Sequence, residues 1–237
     1  MWFHPLSIRI PIWEQIQIFI SWEIDVYFET ISLFYGLNLQ KKDYVTFTEK
    51  DYEKVLRTIS IEKANKLGII VLIPVFVVFT GIHSFFWGSH LLDYFRTDFS
   101  PIKILRDGSL FFIACLIGIV LHELIHGISF ALFAKRGFRA IRFGIMAPFL
   151  TPYCHCTEPL QIRHYLFGAL TPAVILGLGP AITGLFIGKY LVTFLGIVFI
   201  VSAIGDLMIA HLLWEEKPTD YAQDHPSEAG CFVFRKR

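Results

Sequence analysis

Leu121-His122-Glu123-Leu124-Ile125-His126, set in the apolar run from Ser109 to Phe133, decides the reading of this chain. The pattern is H-E-x-x-H, and the run around it, about twenty-five residues, is long enough to cross a bilayer as a helix. Residues four apart share a helix face, so His122 and His126 can offer two imidazole nitrogens to one ion. Glu123 then lies about 100° around the helix, beside the water that such an ion activates rather than on the ion itself. That is the pattern of zinc-assisted hydrolysis, with a carboxylate taking the proton of water and delivering it to the leaving group, most often a peptide nitrogen. The same five letters occur by chance in soluble helices that hold no metal. Here two histidines and a glutamate at hydrocarbon depth would cost several kcal/mol without partners, which favours a functional site.

Composition agrees with a membrane chain. Of 237 residues, 54% are hydrophobic, and the mean hydropathy is +0.57. A net charge of +1 supplies no general basic surface, so nothing points to nucleic acid and none is expected as a partner. Pro5, Pro11 and Glu14 interrupt any secretory-signal core between Met1 and Ile20. Cys154 and Cys156 are too close to bridge easily and Cys115 falls in a span, so free thiols are expected rather than a disulfide framework.

Four stretches are apolar enough to span: Leu67–Trp87, Ser109–Phe133, Leu166–Ile187 and Leu191–Trp214. The expected fold is therefore an all-α integral membrane protein with about four transmembrane helices and a short strand-like cytosolic loop between the second and third. Pro172, Gly177, Gly179 and Pro180 should kink or break the third span, and Gly188-Lys189 should turn the last two into a tight hairpin. The expected organisation is a 1–38 extension, a 39–66 juxtamembrane segment with a helical pattern from about Thr48, a 67–214 membrane domain and a 215–237 tail. Residues 1–38 read equally well as an interfacial helix or as sequence upstream of the true domain start.

Charge sets the orientation. Seventeen of the 21 Lys and Arg residues precede the first span, lie between the second and third, or follow the last, which puts both termini and the 134–165 loop in the cytosol.

A catalytic zinc takes three protein ligands and keeps one open position, so one ligand remains to be found. Asp206 is the only acidic residue in a span other than Glu123, and coordination to a dication would offset its desolvation. Its depth, about 12 Å from the cytosolic end, falls in the interval of about 11 to 17 Å for the two histidines. Ala114, Gly118, His122 and His126 form a narrow face, as do Ser202, Asp206 and Ala210, so the two helices can approach closely. His211 competes as a ligand, but five residues past Asp206 it points about 140° away; a structural hydrogen bond is the other role open to Asp206.

Between the second and third spans, Phe138 to Ile145 is rich in strand formers and Pro148, Pro152 and Pro159 exclude a long helix. A strand edge there could dock an extended peptide, or the segment could be a plain structural loop. Cys154-His155-Cys156 with Glu158 could hold a second metal, but a C-x-C pair fills half a zinc shell and no second pair is evident. His164 reads as interfacial.

His122, Glu123, His126 and Asp206 together resemble the site-two protease superfamily of intramembrane metalloproteases, as does Ala134 to Gly144, where a glycine precedes a strand-like stretch after the zinc helix. The superfamily's N-P-D-G is replaced here by Ile204-Gly205-Asp206-Leu207. His122–Gly127, Pro152–Pro159, Ser202–Leu207 and Asp224–Pro226 are similar to motifs of a bacterial family of unknown function described as zincin peptidases, over about residues 40 to 235. The resemblance implies a zinc-dependent intramembrane endopeptidase of the bacterial cytoplasmic membrane, with His122, His126 and Asp206 as ligands and Glu123 as general base. The lipid bilayer and a membrane-protein or peptide substrate would be its partners. The alternative from another class is a non-catalytic metal-binding scaffold that recruits or regulates a membrane partner; Glu123 favours the enzyme, because a structural zinc site needs no carboxylate next to its first ligand.

Overall fold

The computed structural model describes residues 49–88, 100–146, 151–226 and 228–237; the expectations for residues 1–38 lie outside the described residues. Helix α1 (Ile61–Trp87) starts where Ser60 caps it by accepting from the Lys63 N–H, six residues before the expected span. Helix α2 (Pro101–Ala131) opens on a proline at its first turn, where the missing N–H costs nothing, and carries the H-E-x-x-H sequence near its end.

The third apolar run stays continuous. Helix α3 (Ile162–Pro172) passes through a π-helical stretch, Ala173–Leu178, into α4 (Gly179–Ile187). The irregularity expected at Pro172 and Pro180, a kink or a break, takes the form of this wider turn within one span. Gly188, with φ of 68°, then reverses the chain as expected. The break falls instead in the fourth run, where α5 (Tyr190–Ser202) and α6 (Ile204–Leu212) meet at a bend of 43°. Among the described residues three helices are long and apolar enough to cross a membrane, and the bent pair makes a fourth if it counts as one span. Their side chains fit that solvent: Ile69, Ile70, Ile73, Val77, Phe112 and Val120 all face outward.

The all-α expectation is corrected by the ends of the helices. Strand β1 (Tyr52–Thr58) occupies the segment expected to be helical from Thr48, after a 3-10 turn at Glu49–Asp51. It pairs along its whole length with β6 (Gly230–Lys236) at the other end of the chain, from Tyr52 opposite Lys236 to Thr58 opposite Gly230. With β5 (Tyr221–Asp224) and the short β4 (Leu160–Gln161) these form an antiparallel sheet in the order β1-β6-β5-β4. The expected strand-like loop is a second sheet, the hairpin of β2 (Ile141–Met146) and β3 (Thr151–Cys156).

Every strand adjoins the same end of the helical layer, because the connections are to the start of α1, the end of α2, the start of α3 and the end of α6. A buried cluster sits between that end and the sheets, with Phe130, Phe138, Ile141, Ile162, Tyr165, Leu213 and Val233 among its members. The helices thus meet an apolar cluster at the end that carries the H-E-x-x-H turn.

Candidate metal centre

His122 and His126 are one helical turn apart on α2, and both are buried. Their Nε2 atoms lie 3.2 Å from each other. The bend between α5 and α6 brings Asp206, in the first turn of α6, onto the same point: its Oδ2 is 3.1 Å from His122 Nε2, and its Oδ1 is 3.3 Å from His126 Nε2. Ligand bonds of about 2.0–2.1 Å around a tetrahedral zinc place neighbouring ligand atoms about 3.4 Å apart. The donor chemistry fits as well as the spacing. His126 Nδ1 is 2.9 Å from the Gly168 carbonyl oxygen and donates its proton there, which leaves the Nε2 lone pair facing the cluster. Two imidazoles and a carboxylate converging on one point can hold a cation between them, and this donor set suits zinc.

Glu123 follows His122 on the helix and is partly buried beside the two histidines. Its carboxylate accepts a hydrogen bond from the backbone N–H of Cys154 on β3, so the hairpin fixes the orientation of the group. The expected base is therefore next to the ligands and held from a second element.

Residues 115–221 match a family described as "Putative zincin peptidase". Comparison with the curated proteins and with the solved structures returned no match. The match suggests a metallopeptidase, and zinc is the metal that such a family implies. It spans His122, Glu123, His126, the β2–β3 hairpin and Asp206, and it stops short of β6 and most of β5.

The surroundings hold the zincin site in place. Phe130 stacks on His126 with a 9° interplanar angle and packs in turn on Tyr165. Gly168 makes this possible, since a Cβ there would lie 2.3 Å from Phe130 Cδ1. On the other side of the ligands, Gly118 lets Phe199 of α5 press against α2; a Cβ would lie 2.1 Å from its ring. Below the ligands a cavity of about 530 Å³ runs from His126 and Asp206 past Tyr153 and Cys154 to Asp224, His225 and Glu228. It is large enough for several residues of an extended chain.

Other expectations resolve against the same frame. His211 is exposed and stands outside the ligand set. Among the described residues the only group with metal-ligand spacing is His122, His126 and Asp206; Cys154, His155, Cys156 and Glu158 are not brought into such a group. Glu158 instead accepts from the Lys135 and Arg136 backbone N–H groups and pairs with the Arg136 guanidinium, closing the end of α2. Burial, and then the Asp224 carboxylate, push the Cys154 thiol well above the ordinary range and Cys156 up to about 12. His164 stacks on Phe133 at the end of the helical layer. The outward N–H of Cys154 is taken by Glu123 and that of Cys156 by Asp224, so this part of the β3 edge is already paired rather than open to an added strand. Sequence reading missed Tyr165 and the tie between Cys154 and Glu123; the alternation of small and aromatic residues at Phe130, Tyr165 and Gly168 was the available signal for the first, and backbone contacts leave none for the second.

Proposed function

We propose that this chain is a zinc-dependent intramembrane endopeptidase that hydrolyses peptide bonds of membrane-embedded or juxtamembrane segments. The observation that carries the reading is the triangle of His122 Nε2, His126 Nε2 and Asp206 carboxylate oxygens, with sides of 3.1 to 3.3 Å, next to the oriented Glu123. Zinc, when bound, supplies a Lewis acid and brings the pKa of water toward neutrality. His122, His126 and Asp206 would hold it. Glu123 accepts a proton from the attacking water and passes it to the amine nitrogen as the C–N bond breaks, so the proton balance closes on one carboxylate. Gly168 keeps His126 in the tautomer that can coordinate, and Cys154 keeps Glu123 facing the reacting carbonyl.

The apolar outer faces of the helices support a site reached from the bilayer, and the cavity supports an unwound substrate, because the peptide bonds of an intact helix are shielded by their own hydrogen bonds. The partners in this reading are the lipid bilayer and a membrane protein or peptide substrate, without nucleic acid. The charge distribution supports a cytosolic side for both termini, and with them the sheet and the cavity floor, and the family resemblance supports a bacterial cytoplasmic membrane.

The test is zinc content and cleavage of a quenched-fluorescence library of single-span peptides by the detergent-purified chain. Wild type should carry about one zinc per chain and cleave, and Glu123→Gln should keep the zinc and lose cleavage. Retained cleavage in that variant would remove Glu123 from the mechanism; a wild type without zinc would end the enzyme reading.

A further inference from the structure

Two carboxylates sit along one edge of β3, and only one of them belongs to the H-E-x-x-H helix. Residues two apart in a strand direct their N–H groups to the same side. The Cys154 N–H meets Glu123 from α2, and the Cys156 N–H meets Asp224 Oδ2 from β5 at 2.7 Å. Asp224 Oδ1 accepts the Tyr165 hydroxyl from α3. The adjacent Gln223 donates through Nε2 to the Thr157 carbonyl at 2.8 Å, so β5 grips two consecutive residues at the end of β3. Tyr165 lies against Phe130, and Phe130 against His126.

We infer that Asp224 is a positioning residue for the candidate base: it holds β3 in the register that aims the Cys154 N–H at Glu123. The inference rests on the peptidase reading above and deepens it, since Asp224 lies beyond the matched residues 115–221 and outside the group of His122, His126 and Asp206. Asp224 joins three elements through one carboxylate, and among the described residues β3 has only β2 as a strand partner. Without Asp224 the end of β3 loses its tie to the second sheet at Cys156. A displacement there reaches Cys154, two residues away along the same strand edge, and shifts its N–H from Glu123, while the helix that carries His122, Glu123 and His126 stays in place.

The experiment compares Asp224→Ala and Asp224→Asn with wild type in detergent. Zinc content, kcat and KM on one quenched single-span peptide that wild type cleaves, and amide exchange across 151–156 and along α2, are the readouts. The asparagine is the rescue variant, because its Oδ1 can still accept from Cys156 while its Nδ2 donates to the Tyr165 oxygen. Asp224→Ala should keep its zinc and a KM within about twofold, lose roughly 10–100-fold in kcat as for other outer residues that orient a site, and exchange faster only in 151–156. Asp224→Asn should recover most of that kcat. An unchanged kcat in Asp224→Ala, zinc loss in that variant, or equal impairment of the two variants would overturn the role. A wild type that binds zinc yet cleaves no probe sinks the peptidase reading and this role with it, whereas an active wild type with an unaffected Asp224→Ala sinks the role alone.

Discussion

Asp206 Oδ2 stands 3.1 Å from His122 Nε2 although 84 residues separate the two in the chain. The contact exists because the last apolar run is broken at Ala203. Ser202 turns its hydroxyl back onto the Phe199 carbonyl, the chain bends by 43°, and Asp206 enters the first turn of the new helix α6. A carboxylate at a helix N-terminus is favoured by the unpaired N–H groups there, which offsets part of its burial before any cation is considered.

The ligand set makes a prediction that discriminates within the same helix. Asp206→Ala should lose bound zinc, whereas His211→Ala, at an exposed position away from the triangle, should retain about one zinc per chain. Metal analysis of the two purified variants decides it. Zinc lost from His211→Ala and kept by Asp206→Ala would reassign the third ligand.

The site was more legible than the scaffold, for a physical reason. His122, Glu123 and His126 are read from one helical turn, and Asp206 from the rarity of an acid in an apolar run, so each has a local or compositional signature. Strands β1 and β6 have none of comparable strength. Tyr52-Glu53-Lys54-Val55-Leu56-Arg57-Thr58 carries only two aliphatic residues in seven, and what makes it a strand is pairing with residues 230–236, a partner at the far end of the chain. The prolines were legible in part. Pro172 and Pro180 mark irregular backbone, but whether a span breaks or widens into a π-turn depends on what packs against it, and here Gly177 and Gly196 let α5 lie tightly along the irregular stretch.

Gly168 should tolerate no side chain. In Gly168→Ala the new methyl would overlap Phe130, the ring that stacks on His126, and the carbonyl that fixes the His126 tautomer belongs to the same residue. Overpacking of this kind costs about 1–3 kcal/mol. The variant should melt lower and bind zinc more weakly, and adding Phe130→Leu should restore part of the melting temperature by giving the methyl room. Thermal unfolding and zinc titration of the single and double variants check both; a single variant that matches wild type in both would show that the contact is relieved by small shifts.

Cys156 and Cys231 are fully buried, and burial followed by the nearby Asp224 carboxylate pushes each thiol up to about 12. Almost no thiolate is present near neutral pH, and the thiolate is the reactive form. Neither cysteine should react with a maleimide at pH 7.5 in the folded chain, and both should label once denaturant returns them to an ordinary thiol. Peptide mass spectrometry gives the labelled fraction at each site. Rapid labelling of either one under folding conditions would show that the end of β3 and the β5–β6 pair open readily.

Glu216 ties both long strands to the loop after α6. It accepts from Arg57 of β1 at 3.1 Å and twice from Arg235 of β6, at 2.7 and 2.8 Å. The Arg235 hydrogen bonds, and then those of Arg57, hold its carboxyl below the usual range against the opposing effect of burial. A carboxylate whose folded pKa is depressed contributes stability that is fully present above its unfolded value, about 4.3, and that disappears as pH falls through the lower folded value. Both arginines are partly exposed, so screening limits the contribution to about 1 kcal/mol, roughly 2–4 °C in melting temperature for a chain of this size. Glu216→Gln should therefore melt below wild type at pH 7, and the gap should close as pH is lowered from about 4.3 toward 3. Melting curves across that range measure it, and a gap that stays constant down to pH 3 would mean that Glu216 acts through its shape and hydrogen-bonding oxygen rather than its charge.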